Sequence, residues 1–275
     1  MDIRADLHLH TTSSDGRWPP EQLVDEVRRA GIGFFAVTDH DSLGSLAETA
    51  DLIRGSGLRF LPGVELSSQL NGQGYHLLAY GFDPENAELG ELAVANNASL
   101  TTSSDEAVGL LADLEYHVSL DDYAHYTWNR RRGGWKALNY LIDLGICQDV
   151  HSYFRMFDEI GHPEAKFPPV EDAVNCVHQA SGVVVLAHPG ASFYNGVDVE
   201  RLDLLVEMGV GGLECFSFHH DEAETRSYLD YCRSRNLLIT GGSDCHGGFA
   251  GRAIGVPPVR AGDLRLGRLE ECVLT

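Results

Sequence analysis

The sequence predicts an α/β protein built as a closed, seven-stranded (β/α) barrel. Short apolar runs of strand length alternate with amphipathic segments along most of the 275 residues, a pattern typical of a parallel sheet with helical crossovers. Seven such runs are more consistent with a closed barrel than with an open sheet. Histidines and acidic residues cluster where the runs end, which is where barrels of this class keep their active sites.

The first half of the barrel is predicted from residues 4–82. Pro19 and Pro20 suit the first turn of a helix over residues 21–30, and Gly31 suits its end. A Gly-rich turn at residues 71–74 precedes the fourth strand. The predicted strands cover residues 4–10, 33–38, 58–64 and 75–80, with a second helix over residues 42–54.

The pattern changes between residues 83 and 170, where helical stretches dominate, at about 85–114, 136–144 and 150–160. We therefore predict a helical subdomain at residues 83–170, inserted into a barrel domain formed by residues 1–82 and 171–275. Alternation then resumes, with helices predicted at 170–180, 199–208 and 221–235, strands at 183–187, 212–216 and 237–240, and a short helix near the C-terminus.

Composition limits the function. The net charge of −21 argues against binding an extended nucleic-acid duplex, because phosphates are usually met by a basic surface. The apolar runs are too short to span a membrane, and neither a basic n-region nor an apolar h-region opens the chain, so we expect a cytoplasmic protein. The six cysteines are scattered, which favours reduced thiols. The oligomeric state stays open.

Two histidines at the end of the first strand, His8 and His10, are the first candidate metal ligands. Alternation along a strand would place both imidazoles on one face and Leu7 and Leu9 on the other. Alone, this pair is equally well explained by chance. It belongs, however, to a set of six histidines and three carboxylates at comparable positions, with only His76 early in its strand: His8, His10, Asp15, His40, Glu65, His76, His188, Asp244 and His246.

This set predicts a cluster of metal ions. Imidazole and carboxylate without thiolate favour manganese, zinc or iron. Nine ligands are too many for one ion, so two or three ions are expected, and Glu65, which follows a buried strand, is the expected bridge. Such a cluster generates a hydroxide at neutral pH and neutralises a phosphoryl group. We therefore count Glu65, Asp244 and His246 among the catalytic candidates.

Other residues are candidates for contacts with the substrate. His219 and His220 follow the strand that ends at Phe216, so either could contact the phosphate, and His220 is a candidate leaving-group acid; a solvated pair explains them equally well. Arg132 and Lys136 lie in a basic segment of an acidic chain, which favours phosphate contact over a solvated loop. Asp39 and Asp41 flank His40 and are expected to support the ligands.

The motifs resemble, in order, those of the PHP (polymerase and histidinol phosphatase) superfamily: 6–10 with 11–15, 38–41, 62–65, 187–189 and 242–246. The resemblance implies a distorted seven-stranded barrel with a trinuclear metal centre. It implies one ion at His8, His10, Glu65 and Asp244, a second at Glu65, His76 and His188, and a third at Asp15, His40 and His246.

Asp15 and the helical insertion are more similar to the branch that acts on nucleotide or sugar phosphates. That branch usually carries an Arg-Pro-His-type helix start for phosphate binding, and this chain has Arg132-Gly133-Gly134-Trp135-Lys136 instead. The expected function is metal-dependent hydrolysis, by a metal-bridging hydroxide, of a nucleotide bisphosphate, an oligonucleotide end or a ribose cyclic phosphate. Alternatives are a histidinol-phosphate phosphatase, a non-catalytic metal-stabilised module, and, by fold analogy alone, amide hydrolysis.

Overall fold

A computed structural model of the chain describes residues 3–193 and 196–275. Within these residues, eight strands form one sheet in the order β7-β6-β5-β4-β3-β2-β1-β8. The strands are β1 (Arg4–Asp6), β2 (Phe34–Val37), β3 (Arg59–Leu70), β4 (Gln73–Tyr80), β5 (Val183–Leu186), β6 (Gly212–Phe216), β7 (Leu238–Gly241) and β8 (Val259–Arg260). All seven predicted strands are present, and the two-residue β8 is too short to have been found from its sequence.

The sheet curls until its first strand meets its last long one. The Leu7 amide donates to the Gly241 carbonyl over 3.0 Å, and Leu9 forms a parallel bridge with Cys245. The α/β barrel predicted from the sequence is therefore confirmed. Regular strand geometry ends at Asp6, earlier than predicted, and Leu7 and Leu9 pack in different cores, so the expected alternation does not continue through them.

Two strands, β4 and the short β8, run antiparallel to their neighbours, and the prediction of a wholly parallel sheet is wrong there. β4 pairs antiparallel with both β3 and β5. The reversal follows from the two-residue turn at Asn71 and Gly72, whose φ angles of 52° and 78° suit the tight turn of a hairpin. The start of β4 consequently lies beside the ends of its neighbours, and this explains why His76 comes early in its strand.

Helices cover the outside of the barrel. They are α1 (Pro20–Arg29), α2 (Leu46–Ile53), α7 (Val170–Gln179), the four-residue α8 (Pro189–Ser192), α9 (Val199–Glu207) and α10 (Glu222–Arg235). On α1, Leu23, Val24 and Val27 are buried in the core between helices and sheet. Alternate strand residues such as Phe34 and Ala36 pack in a second core inside the barrel, which a 3-10 helix at Gly267–Cys272 also contacts.

Four further helices follow β4: α3 (Ala87–Asp113), α4 (Leu120–His125), α5 (Lys136–Asp143) and α6 (Val150–Ile160), with a 3-10 helix at Arg130–Arg132. They have their own apolar cluster. On α3, the Asn96 amide donates 2.8 Å hydrogen bonds to Asp41 and to the Ser67 carbonyl, which attaches the helices to the barrel. In the described part of the chain, no helix combines the length and apolar character needed to cross a membrane.

Candidate metal centre

Glu65 is the centre of a buried cluster of imidazoles at the open end of the barrel. Its side chain is fully buried, and each carboxylate oxygen lies close to several rings. Oε2 lies 3.1 Å from His8 Nε2, 3.3 Å from His10 Nε2 and 3.3 Å from His40 Nδ1, while Oε1 lies 3.1 Å from His76 Nδ1 and 3.0 Å from His188 Nε2. One carboxylate therefore faces five imidazoles from four different segments of the chain, since His8 and His10 lie in the same one.

The remaining predicted ligands extend this cluster on one side. Asp244 Oδ1 lies 3.2 Å from His10 Nε2, and the Nε2 atom of His246 lies 3.2 Å from Asp15 Oδ1. The rings of His10 and His246 stack at 3.9 Å. The structure thus brings together all nine predicted ligands, although they span residues 8 to 246.

Ligand atoms within 4.8 Å of one another define three overlapping sets. The sets are His8, His10, Glu65 and Asp244; His10, Asp15, His40 and His246; and His40, Glu65 and His76. Glu65 is shared by two of them, in agreement with its expected bridging position, and His188 approaches the same carboxylate from the loop after β5. This is the arrangement that a group of neighbouring ions requires.

Unpaired polar atoms test whether the pocket suits metal ions. Buried polar atoms normally have hydrogen-bond partners. Within residues 3–193 and 196–275, buried atoms without one include both ring nitrogens of His10, Nδ1 of His76, Nδ1 of His188 and Oδ1 of Asp244. Imidazole nitrogens and carboxylate oxygens are ligands for borderline divalent ions, so the donor set fits the cations that the sequence predicts.

The charges within the cluster depend on one another. Burial raises the pKa of Glu65, but the surrounding imidazoles, led by His40 and His8, hold it well below its usual value. Burial lowers the pKa of His8, yet the carboxylates of Glu214 and Glu65 raise it well above its ordinary value. Without ions, a proton on His8 therefore balances the buried carboxylates, and a divalent cation would replace that proton.

Burial and the neighbouring carboxylates shift the pKa values of His10 and His40 in opposite directions. Burial lowers the pKa of His10, but Asp244 and Glu65 outweigh this and raise it to about 9. Burial lowers the pKa of His40 to about 3, so its ring is neutral and able to ligate at ordinary pH.

Backbone geometry at two ligands is unusual. His188 has a φ of 25° and Asp244 a φ of 52°, and both lie in the left-handed region that residues other than glycine rarely adopt. Strain of this kind persists where the surroundings fix it and is concentrated at functional sites. His188 comes two residues after the end of β5 and Asp244 three residues after the end of β7, and the turn directs each side chain into the cluster.

Glu214 is a functional residue that the sequence reasoning missed. It lies on β6, fully buried; its Oε1 accepts a 2.9 Å hydrogen bond from His8 Nδ1, and its Oε2 accepts a 2.8 Å bond from the backbone N–H of His188. Fixing Nδ1 as the donor leaves His8 Nε2 free to ligate. The signal was an acidic residue inside the otherwise apolar segment Gly212–Phe216.

Other buried aspartates hold the loops. Asp39 accepts hydrogen bonds from the Thr11 amide and the Ser45 hydroxyl, and Asp41 accepts two from Ser67. Asp6 accepts from Ser243 in the same way. These contacts match the supporting position expected for Asp39 and Asp41, and they add Asp6 to the group.

The two histidines after β6 have different surroundings. His219 Nε2 lies 3.6 Å from Asp244 Oδ2, and its side chain is 24% exposed, so its ring borders the cluster and reaches solvent. His220 Nε2 accepts a 3.0 Å bond from the Gly190 amide while Nδ1 donates to the Cys215 carbonyl. Because both nitrogens of His220 are occupied and burial lowers its pKa, the expectation that it acts as an acid or contacts phosphate is not supported by its geometry.

The side chains predicted to contact phosphate, Arg132 and Lys136, have other partners in the structure. Arg132 forms two hydrogen bonds to Asp143, at 2.7 and 2.9 Å, and Lys136 Nζ lies 4.3 Å from the centre of the Tyr123 ring. Both side chains are thus held by neighbouring helices rather than by the cluster. Arg252, which the sequence reasoning did not single out, pairs directly with Asp244.

Comparison with known proteins agrees with this geometry. Residues 6–160 match the family model of the PHP domain. The chain is 29% identical to a 3′,5′-nucleoside bisphosphate phosphatase of Chromobacterium violaceum, an alignment covering 92% of this chain and 93% of that protein. It is 25% identical to the 5′-3′ exoribonuclease Rnm of Escherichia coli (88% and 84% covered). It is 27% identical to a phosphoribosyl 1,2-cyclic phosphate 1,2-diphosphodiesterase of Eggerthella lenta (89% and 94% covered).

Solved structures share the whole fold. A protein of Bifidobacterium adolescentis, provisionally described as a metal-dependent phosphoesterase, superposes with a TM-score of 0.82 at 25% identity, covering 94% of this chain and 93% of that one. An amidohydrolase of Chromobacterium violaceum with bound sulfate superposes with a TM-score of 0.81 at 26% identity, covering 98% and 97%.

Proposed function

The chain belongs to the PHP domain family, and from that premise we propose that it hydrolyses phosphate mono- or diesters of small molecules in a metal-dependent reaction. The observation that carries the proposal is the convergence of eight histidine and acidic side chains around Glu65, with buried ring nitrogens that make no hydrogen bond to any described residue. The relatives named above are a phosphatase, an exoribonuclease and a phosphodiesterase, and all three cleave phosphoester bonds.

We propose three ions, held by the three ligand sets of the family pattern, with manganese favoured and zinc or iron as alternatives. Glu65 is shared between the first two sets, and Asp15, His40 and His246 hold the third. When bound, the ions would supply an activated water molecule and neutralise charge on the phosphoryl group.

The side chains around the ions have separate tasks in this proposal. Glu214 fixes the ring of His8 through Nδ1. Arg252 offsets part of the charge of Asp244. We assign the contact with the departing oxygen of the substrate to His219, which is partly exposed beside Asp244, so that it replaces His220 as the candidate leaving-group acid.

The substrate class proposed is a nucleotide bisphosphate, an oligonucleotide end or a ribose cyclic phosphate, rather than an extended duplex. The chain's net charge of −21 supports a small ligand that enters a local site. Relatives acting on three different phosphoesters leave the choice among these substrates to experiment.

Phosphate release from a substrate panel tests the proposal. The manganese-loaded protein is assayed with a nucleoside 3′,5′-bisphosphate, a 5′-phosphorylated oligonucleotide, a ribose cyclic phosphate and histidinol phosphate, beside a His10→Ala variant. We expect turnover of at least one nucleotide or ribose substrate, and its loss in the variant. A protein with its metal content verified and no turnover on any member contradicts the proposal and favours a non-catalytic module.

We further propose the domain organisation and the location expected from the sequence. Residues 83–170 form the inserted helical subdomain and residues 1–82 and 171–275 the barrel; the separate apolar cluster of the inserted helices supports this division. All six cysteines are free thiols, which supports a reducing compartment such as the cytoplasm.

A further inference from the structure

A cavity of about 300 Å³ lies beside the metal centre and is not used by the proposed chemistry. Its lining residues are Arg17, Trp18, Gln22, Arg131 and Gly247. The volume is at the lower end of the roughly 300–1,000 Å³ of small-molecule sites. Two of the five lining residues are arginines, in a chain whose net charge is −21.

The cavity is directly connected to two ligand loops of the cluster. Arg17 comes two residues after Asp15, and its backbone N–H donates a 3.2 Å hydrogen bond to the carbonyl of His246. Gly247 directly follows His246. The cavity wall is thus formed by the residues next to two predicted ligands, on the side of the cluster where Asp15 and His246 meet.

The inserted helices supply the other wall. The Gly134 amide donates a 2.7 Å hydrogen bond to the Asp15 carbonyl, and Arg130 donates to the Thr12 carbonyl over 3.2 Å. These contacts fix the basic segment at Arg130–Arg132 against the loop that carries Asp15. Arg131 thereby reaches the cavity, whereas Arg132 is bound to Asp143.

Two glycines leave room for the Arg17 side chain. Gly133 and Gly247 have φ angles of 79° and 70°. A Cβ added to Gly133 would lie 2.8 Å from Cγ of Arg17, and a Cβ added to Gly247 would lie 3.0 Å from Cβ of Arg17. At both positions a larger side chain would crowd Arg17, so the two glycines keep this space open for its side chain.

In the part of the chain that the structure describes, the guanidinium groups of Arg17 and Arg131 are hydrogen-bonded only to neutral groups, so their positive charge can act on a ligand. Arg17 Nε donates to the Arg131 carbonyl over 3.4 Å, and Arg131 Nη1 donates to Gln22 Oε1 over 3.3 Å. Throughout residues 3–193 and 196–275, neither guanidinium lies within 4.0 Å of a carboxylate oxygen. Guanidinium groups recognise phosphate through paired hydrogen bonds.

We propose that Arg17 and Arg131 form a second anion site, which holds a phosphate group of the substrate other than the one that reacts. This inference rests on the proposed phosphoesterase function and narrows its substrate to molecules with two phosphate groups. The second phosphate is either that of a small bisphosphate or the next one along an oligonucleotide. Arg17 and Arg131 act in specificity and not in the chemical step.

Comparison of three adenosine substrates tests the site: adenosine 5′-monophosphate, adenosine 3′,5′-bisphosphate and the 5′-phosphorylated dinucleotide of adenosine. We expect Arg17→Ala to lower kcat/KM for at least one of the two larger substrates about tenfold or more relative to the monophosphate, since a charge-assisted contact is lost. Arg131→Ala changes the ratio in the same direction. Arg17→Lys, which keeps the charge without the fork, gives an intermediate ratio.

A surface variant and a binding measurement complete the design. Arg29→Ala removes the same charge from an exposed position on α1, where the side chain is 68% exposed, and should leave the ratio unchanged. Calorimetric binding of adenosine 3′,5′-bisphosphate and of the monophosphate to the metal-free protein gives the same comparison without turnover. Thermal unfolding confirms that each variant is folded.

The outcomes distinguish failure of the second anion site from failure of the phosphoesterase function. A selective loss on the bisphosphate identifies the small ligand as the source of the second phosphate, and a selective loss on the dinucleotide identifies the oligonucleotide. Equal losses on all three substrates, or no loss in turnover and binding, overturn the second anion site while the phosphoesterase function stands. Absence of turnover by the metal-loaded wild type overturns the proposed function, and the binding comparison then still decides the anion site.

Discussion

Replacing Glu214 by glutamine is expected to weaken metal binding without removing a ligand. The wild-type carboxylate accepts from two donors at once, His8 Nδ1 at 2.9 Å and the His188 amide at 2.8 Å. A glutamine of the same shape offers one acceptor oxygen, so its NH₂ group must face one of those donors. Either the ring of His8 or the loop carrying His188 then loses its fixed orientation.

The expected loss is about 10–100-fold in metal affinity, the range found when a partner of a ligating histidine is removed, equivalent to about 1.4–2.8 kcal/mol. Titration of the metal-free protein with Mn²⁺ by calorimetry measures it. Glu207→Gln, at an exposed position on α9, removes the same charge from the surface and serves as the control.

The outcome that refutes this reasoning is specific. If Glu214→Gln binds Mn²⁺ within twofold of the wild type while Glu207→Gln also does, then Glu214 does not orient His8 for ligation. If both variants weaken binding equally, overall charge accounts for the effect and the buried hydrogen bonds do not.

Two further changes test the surroundings of the centre. Asn96→Ala should lower the free energy of unfolding by about 1–3 kcal/mol, because the acceptors Asp41 and Ser67 lose a buried donor; the exposed neighbour Asn97→Ala is the control, and equal denaturation midpoints would contradict the anchoring contact. Arg132→Ala should leave kcat/KM within about twofold and cost at most about 1 kcal/mol, since its half-exposed ion pair lies away from the cluster; a tenfold loss of activity would restore the phosphate contact predicted from the sequence.

The ligand positions were predictable because of a simple property of barrels. Strand ends meet at one end of the barrel, so histidines and acids such as His8, Glu65 and Asp244, which are distant in sequence but equivalent in their βα units, must converge. Their spacing along the chain carries this information without any knowledge of the loops. The short β8 and the four-residue α8 left no such signal.

Features that depend on tertiary contacts were not predictable in this way. The reversal of β4 was signalled locally by Asn71 and Gly72, but its effect on His76 depends on the neighbouring strands. Arg132 was assigned to phosphate because charge in a sequence does not show which partner a flexible side chain will meet, and Asp143, eleven residues on, binds it.

Glu214 and His220 show that residue type and position in the sequence do not by themselves reveal hydrogen-bond partners. Glu214 was missed because its strand appeared purely structural, yet it contacts His8 and the backbone of His188. His220 was overvalued because only the folded chain shows both of its nitrogens occupied by backbone groups. Residue type identified candidates, and hydrogen-bond partners decided among them.

The most direct test of the central claim is phosphate release from a nucleoside 3′,5′-bisphosphate by the manganese-saturated protein, compared with its Glu65→Gln variant. The claim predicts release by the wild type, and a fall in the variant greater than the roughly 10–100-fold typical of losing an outer partner of a ligand. Release that survives in Glu65→Gln at the wild-type rate would contradict a catalytic centre built around this carboxylate.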